Sequence, residues 1–174
     1  MMRRFGWLVA LAALALPSIA AAQSAAPRLA ARTIDRLPKP LPAPYDAAAD
    51  ARADIAAAVK RARASRRPLL IDFGANWCVD CRIFVGVLEL PEMRGWVARN
   101  FELVQVDVGR FDRNLDIAAR YGIKELAAVP AVFVVDAKSG KLLNPREVFA
   151  LGEAGLMQPQ TMADWLARWA RPAR

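Results

Sequence analysis

Leu69-Leu70-Ile71-Asp72-Phe73-Gly74-Ala75-Asn76-Trp77-Cys78-Val79-Asp80-Cys81 contains the only two cysteines of the chain. Leu69 to Gly74 is an apolar run interrupted by one acid, and it reads as a central strand buried on both faces. A helical pattern starts near Cys81, so the two cysteines, three positions apart, sit where strand gives way to helix. From there both sulfurs can reach a substrate disulfide in turn. The stretch therefore points to thiol redox chemistry.

The chain has 174 residues, 56% of them hydrophobic and 24% charged, enough for one well-packed domain with attachments. Its net charge of +8 invites a nucleic-acid reading, but the charge is unevenly placed. Residues 1–22 carry Arg3 and Arg4, while residues 23–67 carry ten Lys/Arg against four Asp/Glu, a net of +6. Residues 68–174 carry 13 of each sign and are neutral. A nucleic-acid face should enrich the folded body itself, so no nucleic-acid partner is expected.

Three parts follow in order. Residues 1–22 read as a secretory signal: Met1-Met2-Arg3-Arg4 is positive, Trp7 to Leu16 is apolar, and Ala20-Ala21-Ala22 offers a small-residue cleavage site. The apolar run is shorter than the roughly 20 residues that span a bilayer, so stable membrane insertion is not expected after cleavage, although a retained anchor is the other reading. The mature chain is then exported, to a bacterial periplasm, where disulfides persist. Residues 23–45 form a Pro/Ala-rich linker whose Pro38, Pro40, Pro42 and Pro44 favour an extended tether with no core of its own. Residues 46–174 form the domain.

Within the domain, Asp46 is placed to cap a helix that runs to about Ser65 on the spacing of Ala51, Ile55, Ala58, Val59 and Ala62. Pro68 ends it, and the strand Leu69–Phe73 follows. After Cys81 comes a helix to about Leu90, an interruption at Pro91, and a second helical segment over Glu92–Arg99. Phe101–Val108 reads as a strand, Asn114–Tyr121 as a helix stopped at Gly122, and Ala131–Asp136 as a third strand. Lys138-Ser139-Gly140-Lys141 predicts a hairpin turn into Leu142-Leu143, and Val148–Leu151 predicts a last strand. Met162, Trp165, Leu166 and Trp169 mark an amphipathic C-terminal helix. The class is α/β: a central mixed sheet with helices on both faces.

Only a thiolate attacks a disulfide. At a helix N-terminus the free N–H groups and the dipole favour an anion, which makes Cys78 the exposed nucleophile and the deeper Cys81 the resolving thiol. Asp80 between them should oppose thiolate formation by like charge and push the pair towards the reducing end. A purely structural bridge would close a loop of four residues and constrain the unfolded chain little. A zinc site would need about four ligands, and the sequence offers two cysteines and no histidine. No metal or other cofactor is expected.

Asp72 is an acid inside an apolar strand. Burial should raise its pKa and make it a proton acceptor for the resolving thiol, unless it lies at the sheet end and is merely solvated. Val129-Pro130 opens the third strand, where a proline fits as a first strand residue or in a cis peptide. A cis bond would aim the Val129 backbone at an extended substrate, with Trp77 as the apolar lip of the same groove.

The stretch Ile71 to Cys81 resembles the thioredoxin active-site segment, in which an acidic strand residue precedes Trp-Cys-x-x-Cys. Tyr121-Gly122-Ile123 followed by Val129-Pro130-Ala131 is similar to the second signature of that family. The resemblance covers about Asp46 to Ala170 and is nearest the secreted thioredoxin-like branch, which is similar to the periplasmic domain of the membrane thiol–disulfide electron transporter. It implies a thioredoxin fold with Cys78 as nucleophile, Cys81 as resolving thiol, Asp72 as buried acid and Pro130 as cis-proline. The chain departs from the pattern in three places. Val79-Asp80 replaces the usual Gly-Pro, and Leu103 stands nearest the lysine that commonly accompanies the buried acid. Val108–Asn114 looks like an insertion. Strong oxidants and isomerases of this kind typically carry a histidine between the cysteines, which this chain lacks.

The expected activity is reduction of protein disulfides in the periplasm, with disulfide-bearing exported proteins as clients. No nicotinamide site is visible, so electrons would come from a membrane thiol donor. Disulfide oxidation or isomerisation is the enzymatic alternative, and a thioredoxin-fold binding module without turnover is the other.

Overall fold

The computed structural model describes residues 24–170, so the expected signal over 1–22 lies outside the described residues. The ordered elements begin with α1 (Ala51–Ser65), β1 (Leu69–Gly74), α2 (Val79–Leu88) and α3 (Pro91–Asn100). They continue with β2 (Glu102–Asp107), α4 (Leu115–Arg120), β3 (Ala131–Val135) and α5 (Pro159–Trp169). Among the described residues no helix is long and apolar enough to cross a membrane.

β1 is the centre of a three-stranded sheet in the order β2-β1-β3. It pairs in parallel with β2 and antiparallel with β3, so the sheet is mixed, and all six of its residues are buried. Successive side chains leave opposite faces of the sheet. Leu69, Ile71 and Phe73 enter one core with Ala58 and Ala62 of α1, whose small side chains let that helix lie close. Leu70 enters the other core, with Phe84 and Val87 of α2, Met93 and Trp96 of α3, and Met162 and Leu166 of α5. Asp72, two residues on from Leu70, shares this second face.

Caps explain the element ends. Asp50, not Asp46, caps α1, and its side chain accepts from the N–H groups of Arg52 and Ala53. Asp46 instead closes a local turn by accepting from Ala48 N at 2.8 Å. Arg66, with φ of 58°, ends α1 before Pro68 is reached. Pro91 occupies the first turn of α3, where a missing N–H costs nothing.

The outer edge of β3 differs from expectation. Leu142 makes only an isolated bridge to Val135, and the segment expected as a strand over Val148–Leu151 is a turn. Pro145, in the turn between Leu142 and Val148, has no N–H to donate to β3. A side chain covers the gap: Asn144 accepts from Val134 N and donates to Val132 O, both at 2.8 Å, and Val148 O accepts from Val132 N.

The arm before Asp46 also corrects the sequence reading. Rather than forming a tether, its described part packs on the domain, burying Leu29, Leu37 and Tyr45. Gln160 of α5 holds Leu29 N and Pro27 O, Glu92 of α3 accepts from Ala30 N, and Arg82 of α2 donates to the carbonyls of Leu41 and Pro42. Gly86 of α2 presents no side chain, and Leu37, Leu41 and Pro42 close over it. A proline-rich chain has few N–H groups to satisfy, so a handful of side-chain partners is enough to seat it. Burying a leucine in this way contributes roughly 1.5–3 kcal/mol.

Candidate active site

Cys78 is the N-cap of α2, and its Sγ accepts from Cys81 N at 3.1 Å, where the first turn leaves donors free. The two sulfurs are joined in a disulfide. Cys78 is 6% exposed and Cys81 0%, so the first cysteine is the more accessible, though far less open than its flanks. Those flanks, Trp77 at 46% and Val79 at 60%, carry the exposed surface. The Val129–Pro130 peptide is cis, and the Val129 carbonyl oxygen lies 3.5 Å from Cys78 Sγ. The structure thus brings Cys78, Cys81, Trp77, Val129 and Pro130 to one end of the sheet, where β1 finishes and β3 begins.

Trp77 is fixed by the segment after β2. Its indole Nε1 donates to Gly109 O at 2.7 Å, its ring meets Phe111 at 6.1 Å between centroids, and the Arg110 guanidinium lies 5.6 Å from it. Gly109, Phe111 and Asn114 all have positive φ, and Asp107 and Asp112 accept backbone N–H bonds within the loop. Residues 108–114 build this folded loop. Phe111 was not singled out by sequence reasoning; a lone aromatic among charged residues was the available signal.

Asp80 turns away to a third segment, where its Oδ1 accepts from Gly155 N at 2.7 Å. Leu156, the next residue, is among the most exposed large apolar side chains of the described residues.

Asp72 is fully buried, which excludes the solvated reading. Burial is the main influence on its carboxyl and pushes it up to about 7, with hydrogen bonding from Tyr45 and then Gln105 pulling the other way. The Tyr45 hydroxyl donates to Asp72 Oδ2 at 2.8 Å, whereas Oδ1 has no partner at hydrogen-bond geometry even though Gln105 sits opposite in register. Tyr45 itself is held protonated well above its ordinary range, first by burial and then by the Asp72 charge. Sequence reasoning left Tyr45 at the end of a tether and so missed it. Among the described residues no acidic or cysteine cluster is arranged to hold a metal ion.

A thioredoxin-like family model matches residues 50–137, which spans β1, both cysteines and the cis-proline. The chain belongs to the thioredoxin-like family. It is 37% identical to a disulphide isomerase from Xylella fastidiosa Temecula1, covering 74% of this chain and 97% of that one with a TM-score of 0.68. A thioredoxin of Rickettsia bellii is 25% identical over 99 residues, 57% of this chain and 78% of that thioredoxin. A thioredoxin of Bacillus subtilis is 30% identical over 93 residues, 53% of this chain and 80% of its own. With its Cys-x-x-Cys pair in the disulfide state, this thioredoxin-like chain is a thiol–disulfide oxidoreductase.

Proposed function

We propose that the chain works in the periplasm as a protein-disulfide reductase. The observation that carries this reading is the Cys78–Cys81 pair at the start of α2, reached by a strand whose buried carboxyl titrates near about 7. In the reduced protein the Cys78 thiolate attacks one sulfur of a client disulfide. A mixed disulfide forms, and the client's other sulfur leaves as a thiolate that takes a proton. Asp72 accepts the proton of the Cys81 thiol, and the Cys81 sulfur attacks Cys78. The second client sulfur then leaves and is protonated. The client gains two electrons and two protons, and the protein is left as the observed disulfide. A dithiol donor at the membrane resets it by the same exchange in reverse.

In this reading exposed Trp77 and the Val129 carbonyl, 3.5 Å from Cys78 Sγ, bind an extended client segment beside the sulfurs. The acid at Asp80, in a chain without histidine, favours the reducing direction. The similarity to the Xylella disulphide isomerase favours a second reading, isomerisation, which uses the same attack by Cys78 but returns the client's own sulfur. Expression of Cys81→Ser in a periplasm separates turnover from binding. A reductase or isomerase accumulates mixed disulfides through Cys78, whereas a binder yields no thiol-sensitive adduct.

A further inference from the structure

We propose that Tyr45 is a positioning residue for the thiol exchange: delivered by the N-terminal arm, its hydroxyl holds the Asp72 carboxylate and sets the pH at which Asp72 takes the resolving proton. The inference rests on Asp72 being the proton acceptor described above. Three contacts fix Tyr45 in place. Its backbone is clamped from both sides by Asn76, which accepts from Tyr45 N at 3.1 Å and donates to Tyr45 O at 2.8 Å. Its ring lies against Gly74, where any Cβ would collide with it. Its hydroxyl donates a hydrogen bond to Asp72 Oδ2 in a site closed to solvent.

The clamp matters because Asn76 stands two residues before Cys78. The loop that carries the nucleophile and the side chain that holds the buried acid are therefore one hydrogen-bonded unit. The phenol stays protonated, so it acts as a fixed donor and not as a second base. A donor to a carboxylate stabilises its charged form, which keeps a fully buried acid ionisable near neutral pH.

Of the other groups facing Asp72, Gln105 pulls the carboxyl in the same direction as Tyr45 but by less. β2 offers the Gln105 side chain, and β3 offers Val132, which carries no titratable group. Asp107, at the end of β2, acts on Tyr45 and is itself paired with Arg113 at 3.6 Å.

The test follows the Asp72 carboxyl by 13C NMR in the reduced full chain, assigned with Asp72→Asn, beside the rate of oxidation by glutathione disulfide. Cys78 alkylation reads the nucleophile separately. In Tyr45→Phe, which keeps the ring over Gly74, the Asp72 midpoint rises by about one pH unit and the exchange profile moves with it. At about pH 6 exchange then slows several-fold, and the alkylation profile stays in place. Asn76→Ala leaves the phenol intact and shifts both profiles in the same direction, which covers the case in which Tyr45→Phe does not fold. Superimposable Asp72 titrations in wild type and both variants overturn the inference while leaving Asp72 as acceptor. An Asp72 midpoint that moves without any change in exchange overturns both, because Asp72 would then not receive the proton.

Discussion

Replacing Asp72 with Asn removes one titrating group from the interior and leaves an oxygen that can still accept from the Tyr45 hydroxyl. In the folded chain this carboxyl is raised to about 7 from an ordinary 3.8, chiefly by burial. The sign follows directly. Between about pH 4 and pH 7 the native state holds a proton that the unfolded state has released, so unfolding free energy falls as pH rises. The Asp72 contribution is fully present in acid and is gone once pH passes about 7. A gap of this size corresponds to roughly 4 kcal/mol, an upper figure because buried sites relax and admit water. Urea unfolding of the oxidised protein at about pH 5 and about pH 8 measures it. The difference in stability between Asp72→Asn and wild type should grow in favour of the variant by about 2–3 kcal/mol across that range. Parallel pH dependences in the two proteins would refute the burial argument, since a solvated carboxyl produces no such slope. Loss of exchange rate in the same variant connects this stored cost to proton acceptance.

Other perturbations read separate parts of the molecule. Leu37→Ala should cost roughly 2–4 kcal/mol in chemical denaturation if the arm is a seated strap; a tether residue would change stability by less than about 0.5 kcal/mol. Phe111→Ala removes the ring that supports Trp77 and should raise KM for protein disulfides about threefold to tenfold while exchange with dithiothreitol is unchanged. Asp80→Asn keeps an oxygen for Gly155 N but loses the charge, and a redox titration should find the pair more oxidising by about 10–30 mV.

The site was legible wherever chemistry and period coincided in a short stretch. Leu69 to Gly74 could be read as a strand because every position is buried, and Cys78 falls at the helix start because the strand ends four residues earlier. Val129-Pro130 stood out because a proline at a strand entrance has few roles. The arm was not legible, since a proline-rich segment has no period and its anchors, Gln160, Glu92 and Arg82, are distant in sequence. Tyr45 was hidden for the same reason: its partner Asp72 is 27 residues away. The β3 edge misled because Asn144 replaces backbone with side chain, a substitution that hydropathy does not register. The cap moved from Asp46 to Asp50 because each acid precedes a short alanine-rich stretch and only packing of α1 on the sheet selects between them.

The reduction potential of the Cys78/Cys81 pair tests most directly whether the pair serves as a reductant. Equilibration of the folded chain with dithiothreitol or glutathione buffers, read by thiol labelling, should give a value near about −270 mV. A value near about −120 mV would contradict the account and make the chain a disulfide donor.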